Sequence, residues 1–308
     1  METAAAAPSG SGYELREGFC PAPNGGQLYY RAEGSGPALV LCNGLAVSTF
    51  FWHFVVSAFA PAYRVVVWDY RGHGQSGPAP ESGFGIGTCA DDLVLLMDHL
   101  GLDRAVLAGH SLGSQVILET YRRAPERVRG LVPTLGGYGH TVETFFDTPR
   151  SVSALELMRR VALAQPRLAQ QVMRAVATAP GVFEAAKLLG LVNSKLCPAE
   201  EMKPYLEHLA TVDLGTYFQL AFDLQDHDAS DLLPHVRVPV LVFGADHDKF
   251  APLWLSERMA KTIPGAELCV LRGGSHAALV EQPELVCLRL ERFLIDRLGL
   301  PKMAHPLG

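Results

Sequence analysis

Ser111 stands in Gly109-His110-Ser111-Leu112-Gly113, and two aspartates, Asp246 and Asp248, and His276 follow far downstream. These residue types together suit one kind of chemistry. A serine hydroxyl is a poor nucleophile at neutral pH. It attacks a carbonyl when an imidazole within hydrogen-bond reach takes its proton and a carboxylate orients that imidazole. The setting of Ser111 fits the role. Ala105–Ala108 is a short apolar run with the look of a buried parallel strand, and Ser114–Tyr121 has helical spacing, so the serine falls in a tight strand-to-helix turn. Gly109 and Gly113 leave room where a Cβ would press on a neighbouring strand or helix. The hydroxyl would stand at the helix N-terminus, with the Leu112 N–H directed at the same spot. Gly-x-Ser-x-Gly alone is weak evidence at average glycine usage, so the rest of the chain has to supply the partners.

The elements around this turn alternate. Arg16–Cys20 and Gln27–Arg31 read as strands joined through Pro23-Asn24-Gly25-Gly26, which is hairpin chemistry. Pro37–Cys42 and the β-branched run Arg64–Trp68 are buried strands, separated by a helical stretch from Ser48 to Ala58. A helix is predicted over Thr88–Leu100, with Asp91 and Asp92 in its first turn, where the helix dipole favours acids. Val128–Leu135 is a further apolar run. From Thr144 to Gln225 the pattern is helical, with Val152–Ala164, Leu168–Thr178 and Glu200–Thr211 among the segments and a break at Gly215. The alternation then resumes with strand Val238–Phe243, helix Leu253–Thr262, strand Glu267–Leu271 and a helix over Glu284–Leu298. Such alternation predicts a mostly parallel sheet covered by helices on both faces. Functional groups of such sheets sit on loops at the carboxyl ends of the strands. Only two later loops offer them: Gly244–Pro252, with Asp246, His247 and Asp248, and Arg272–Leu279, with His276. On residue type alone either aspartate can be the acid.

Composition narrows the classes. In 308 residues, 48% are apolar and 19% charged, enough for a large core and too few charges for a disordered chain. The formal net charge of −6 argues against a nucleic-acid or anionic-membrane surface. Arg122-Arg123 and Arg159-Arg160 read as solvated faces. Six cysteines, none in a Cys-x-x-Cys, read as small buried hydrophobes in a reducing compartment. Residues 1–13 read as a flexible tail, with an acid where a signal peptide carries positive charge. No apolar run reaches the length of a membrane span, so a cytoplasmic location is expected.

Nearly the whole chain, from Glu14 to Leu298, resembles the α/β-hydrolase superfamily. Within it the chain is most similar to the capped bacterial esterases and the cofactor-free haloperoxidases and perhydrolases. Four blocks carry the resemblance in order: Asn43-Gly44, Asp69-x-Arg71-Gly72-x-Gly74-x-Ser76, Gly109-x-Ser111-x-Gly113, and Gly274-Ser275-His276 with Glu281-Gln282-Pro283. The resemblance implies an α/β fold with a mostly parallel central sheet flanked by helices, a core over 14–136 and 230–308, and an inserted helical cap over 137–229. It implies Ser111 as nucleophile and His276 as general base and acid. The family places its acid four residues before a proline, as Asp248 stands to Pro252, which favours Asp248 over Asp246. Leu112 and Leu45 would donate the two N–H groups of the oxyanion hole. Asn43 departs from the usual histidine before that glycine, and can still hydrogen-bond locally to shape the loop.

Asp69, Arg71 and His73 resemble a structural turn of the family that pairs internally. His110 is expected to point away from Ser111, and His247 has no second cluster of metal ligands near it in sequence. Met158, Met173, Leu188, Leu189 and Phe218 read as cap core, while Phe51 and Trp52, near the oxyanion loop, are expected to line the substrate pocket. The expected activity is hydrolysis of a carboxylic ester of a small to medium, partly apolar substrate. No metal or organic cofactor is implied, and the expected partner is the substrate, with neither nucleic acid nor membrane; a homo-oligomer is left open. Carbon–carbon bond hydrolysis, lactonase, aminopeptidase and perhydrolase chemistry use the same triad, and a non-catalytic ligand receptor on this fold is the rival of another class.

Overall fold

The computed structural model describes residues 14–148 and 150–303; the expected tail, 1–13, lies outside them. The aliphatic and β-branched runs form β1 (Leu15–Ala22), β2 (Gly26–Glu33), β3 (Ala38–Cys42), β4 (Arg64–Trp68), β5 (Ala105–His110), β6 (Val128–Thr134), β7 (Leu241–Ala245) and β8 (Glu267–Leu271). They make one sheet in the spatial order β1-β2-β4-β3-β5-β6-β7-β8. The β1–β2 and β2–β4 pairs are antiparallel and the others parallel. Asn24 and Gly25 turn the first hairpin with φ of 59° and 75°, the left-handed region Asn-Gly tolerates.

Helices α1 (His53–Phe59), α2 (Ile86–His99) and α3 (Leu112–Arg123) connect the early strands. Between β6 and β7 come α4 (Ser151–Ala164), α5 (Pro166–Ala177), α6 (Val182–Leu188), α7 (Ala199–Leu209) and α8 (Leu214–Asp226). After β7 come α9 (Leu253–Thr262), α10 (Ala278–Glu281) and α11 (Pro283–Leu298). Strand residues alternate between two cores. Val40 and Leu107 pack with α2 and α3 on one face, whereas Leu41 and Val106 pack with α1 and α11 on the other. With both faces covered, the central strands are mostly apolar, and every residue of β3 and β5 is buried.

Several elements depart from expectation, each for a local reason. Helix α2 begins at Ile86, so Asp91 and Asp92 lie beyond its first turn. Asp223 of α8 instead meets its N-terminus, accepting the Ile86 N–H at 2.5 Å. Strand β7 starts at Leu241 because Pro239 has no N–H for the ladder, though its carbonyl still accepts the Leu131 N–H at 3.0 Å. Gly215 does not break the chain. It lies in the first turn of α8, whose N-cap Asp213 accepts the Thr216 N–H at 2.8 Å. Leu220, Ala221 and Leu224 of α8 are buried in the same core as α2 and α3. Arg122 and Arg123 are not a merely solvated face: both grip Glu119, at 3.1 and 2.8 Å, and reach Asp231 and Asp91. Met158, Leu188 and Leu189 are not core, being 55%, 89% and 63% exposed.

The loop after β4 is held by a buried ion pair. Arg71 donates from Nε and Nη2 to the two carboxylate oxygens of Asp92, at 2.8 and 2.5 Å. Burial pushes the Asp92 carboxyl upward, and the guanidinium opposes that shift. Removing one partner strands the other charge in a dry site. Arg71→Met is therefore expected to cost about 3–5 kcal/mol in urea unfolding, and Arg71→Met with Asp92→Leu to cost distinctly less.

Candidate active site

Ser111 occupies a strained conformation, φ 53° and ψ −117°, at the step from β5 into α3. For a residue with a Cβ this costs about 1–3 kcal/mol, and packing has to hold it. Close approach does so. A Cβ on Gly109 would lie 2.1 Å from the Gly113 carbonyl oxygen, and one on Gly113 would lie 2.5 Å from that of Cys42. The main-chain N–H of Ser111 donates to Thr134 O at 2.9 Å, tying the turn to β6.

The later loops converge on the hydroxyl. Ser111 Oγ lies 2.9 Å from His276 Nε2, and His276 Nδ1 lies 2.8 and 3.0 Å from the two Asp248 oxygens. The Asp248 side chain is fully buried, and its Oδ1 also accepts the N–H groups of Phe250 and Ala251 at 2.8 and 2.9 Å. An ionised carboxylate so held keeps the proton on Nδ1 and leaves the Nε2 lone pair facing the hydroxyl. Asp246, the alternative acid, turns away. It accepts the Gly273 N–H at 2.6 Å and lies 3.6 Å from Arg272. His247 is exposed, and no metal-holding cluster of His, Cys, Asp or Glu occurs among the described residues.

The loop after β3, expected to supply an oxyanion donor, has its own supports. Ala46 N–H is spent on His73 Nε2 and Val47 N–H on Gly44 O, both at 3.3 Å, whereas Leu45 N–H has no protein partner among the described residues. Leu112 opens α3, where the first N–H groups have no acceptor within the helix. Gly44, Leu45 and Ser111 line one cavity. Asn43 does bond locally: its Nδ2 donates to Trp68 O at 2.6 Å, and its own carbonyl accepts from the Tyr70 hydroxyl at 2.9 Å. The turn expected to pair internally does so only in part: Asp69 takes the Gln75 N–H at 3.0 Å within it but also Ser48 Oγ and the Thr49 N–H at 2.7 and 3.1 Å from the loop after β3, and Arg71 reaches out to Asp92.

The cavity encloses about 400 Å³, and Phe51, Phe183, Met202, Leu206 and Phe250 are among its walls. Its polar side chains are His110, Ser111, Tyr205 and His276. Phe51 thus lies where expected, but Trp52 does not line it. The 3₁₀ turn Thr49–Trp52 rotates successive side chains by about 120°, so Trp52 enters the α1 side of the core, 2% exposed.

Two supports carried no assigned role in the sequence reading. Glu281, buried at 6% exposure, accepts the Ser275 N–H and hydroxyl at 2.8 and 2.6 Å and the Asn193 N–H at 2.6 Å. It fixes the loop before His276 to the segment between α6 and α7. The quoted block Glu281-Gln282-Pro283 contained it, but sequence spacing does not reveal that Asn193 meets it. His110 anchors the other side, with Nε2 donating to His276 O at 3.0 Å.

The alpha/beta hydrolase fold family matches residues 37–283, and the chain belongs to that family. It is accordingly an α/β-hydrolase enzyme. A Caulobacter sp. protein bearing the name "Putative carbamate hydrolase RutD" is 30% identical over 276 residues, 87% of this chain and 95% of that one. An esterase from Thermogutta terrifontis is 26% identical with a TM-score of 0.71, over 92% of this chain and 98% of that one. A bromoperoxidase from Bacillus anthracis shares the fold, with a TM-score of 0.74 at 19% identity over 92% of this chain and 100% of that one.

Three histidines around the site are kept neutral by desolvation, His73 and His110 fully buried and His208 half-buried with its Nε2 shielded from solvent. Burial lowers His73 and His208 to about 4, and lowers His110 to about 3 with help from the charge of His276. Unfolded, each takes up a proton near pH 6.5. The folded state therefore binds fewer protons below that pH. The stability these rings contribute is full above about 6.5 and is lost as pH falls through 4. His208 Nε2 has no hydrogen-bond partner, and its ring packs edge-on to Phe50 at 6.0 Å. His208→Phe keeps that packing and removes the titration. Urea unfolding at pH 7.5 and 4.5 is expected to show an acid loss smaller than wild type by about 1–3 kcal/mol.

Proposed function

We propose that the protein is a serine carboxylesterase for esters with an apolar, medium-length acyl group. The observation that carries this reading is the Ser111–His276–Asp248 relay opening on a cavity with mostly apolar walls. Ser111 Oγ attacks the ester carbonyl as His276 Nε2 takes its proton. The oxyanion that forms is received by the N–H groups of Leu45 and Leu112, donors worth about 3–4 kcal/mol each in such a site. His276 then passes the proton to the departing alcohol, and water attacks the acyl-enzyme by the same route. Asp248 orients and stabilises the imidazolium throughout. Helices α5 to α7 supply most of the cavity's outer wall and act as its lid. The six thiols are all free and buried, which fits a reducing cytoplasm.

A carbamate ester enters the same chemistry, and the names borne by the relatives make it the comparison substrate. The walls favour an apolar acyl group, because each buried methylene contributes about 0.8 kcal/mol. With p-nitrophenyl esters, kcat/KM is expected to rise about fourfold per methylene from acetate until the cavity is full, then to fall. A p-nitrophenyl carbamate of equal length would be slower. No turnover at any acyl length, or a carbamate preferred over every ester, would overturn the ester reading.

A further inference from the structure

One polar group of the cavity is left without a task. Ser111 Oγ and His276 Nε2 face each other, and Asp248 holds His276 Nδ1. His110 donates from Nε2 to the His276 carbonyl oxygen, and its Nδ1 is sealed among protein atoms beside Gly44. The remaining polar side chain in the described walls is Tyr205 of α7. Its hydroxyl makes no hydrogen bond among the described residues, yet it is not sealed as His208 Nε2 is, one turn further along the helix.

Helix α7 sets Met202, Tyr205, Leu206 and Leu209 on the cavity, at positions i, i+3, i+4 and i+7 of one face. Three of the four are apolar, so the phenol is an isolated hydrogen-bonding group in that wall. Burial pushes it up to about 12, with the neighbouring Tyr217 adding to the shift. The hydroxyl therefore keeps its proton at neutral pH and serves as an O–H donor. A hydroxyl so deeply set, and still not sealed, opens on the cavity that its residue lines. Tyrosines that hold this fold together have protein partners instead. Tyr63 donates to Pro301 O, Tyr70 donates to Asn43 O, and the Tyr121 hydroxyl accepts the Arg237 N–H.

We infer that Tyr205 selects substrates, its hydroxyl donating a hydrogen bond to a second oxygen, such as a ketone, on the acyl chain that fills the cavity. The inference rests on the esterase reading and narrows its substrate class to acyl groups that carry an acceptor along an otherwise apolar chain. In a solvent-filled cavity the phenol bonds to water. A plain alkyl chain drives that water out and leaves a buried donor unpaired, which weakens binding. A chain with an acceptor at the right depth restores the bond. Sites built around such a donor reject an analogue lacking the acceptor more strongly than an apolar pocket rejects a missing methylene.

The test is kcat/KM for p-nitrophenyl heptanoate and its 4-oxo, 5-oxo and 6-oxo analogues, with the wild type and Tyr205→Phe. Phenylalanine keeps the ring and removes only the hydroxyl, and an unchanged melting temperature verifies the fold. In the wild type one oxo ester is expected to exceed heptanoate about tenfold. In Tyr205→Phe that ester is expected to slow and heptanoate to speed up, so that the preference vanishes. Comparing the ratio between the two enzymes cancels the intrinsic reactivity of each ester. A preference that survives in Tyr205→Phe, no preference in the wild type, or an equal loss on all the esters would overturn the inference. Heptanoate turnover without an oxo preference leaves the esterase reading standing and this one refuted. If no ester is hydrolysed, the esterase reading fails and selection is read from calorimetric binding of the N-methylamides of the same acids. Tighter binding of one oxo amide, lost in Tyr205→Phe, would support the role of Tyr205, and equal binding would overturn it.

Discussion

The carbonyl oxygens of Cys42 and Gly113 lie so close to the elbow that no side chain fits at Gly113 or Gly109. This approach of α3 to β3 and β5 holds Ser111 at positive φ and sets the hydroxyl clear of the sheet. The rest of the site is arranged around that fixed point. The loops after β7 and β8 bring Asp248 and His276 to it, and the loop after β3 brings Leu45. A relaxed serine rotamer on an ordinary turn would not meet an imidazole held from two other strands. The strain is stored in the sheet's packing and is offset by the cores on both faces.

Around the fixed point the polar groups divide into two sets. Asp248, Glu281 and Asp69 are buried carboxylates whose oxygens accept N–H and O–H donors from the loops they hold. His73 and His110, buried, and His208, half-buried, are imidazoles kept neutral by desolvation, one of them accepting the N–H next to Leu45. The first set uses charge to fix loop geometry, and the second uses a neutral ring where a cation would be costly. Among the described residues only His276, its side chain 19% exposed and opening on the cavity, combines a buried acid on one nitrogen with access on the other. That asymmetry suits it to carry a proton.

The parallel sheet and the Ser, Asp, His order were legible because they rest on local signals: apolar runs, glycines in turns, and polar loops at strand ends. Asp248 could be preferred over Asp246 only through the family's spacing to a proline; in the structure the distinction lies in which carboxylate crosses to His276 and which caps Gly273. What escaped the sequence was long-range or rotational. Asp223 meets α2 across 137 residues, Asn193 meets Glu281 across 88, and Trp52 is rotated from Phe51 by about a third of a 3₁₀ turn. The outward faces of α4 and α5 were misjudged for another reason. Periodicity gives a helix its apolar stripes but does not say which one the core takes.

The central claim, that Ser111 is the nucleophile, is tested most directly by intact-mass measurement after incubation with a p-nitrophenyl alkylphosphonate, for the wild type and Ser111→Ala. A phosphonate stops at the first adduct because its tetrahedral phosphorus mimics the tetrahedral intermediate of acyl transfer. The account predicts one phosphonyl group per chain in the wild type, mapped to Ser111, and none in the variant. An unlabelled wild type, or an adduct that persists in Ser111→Ala, would contradict it.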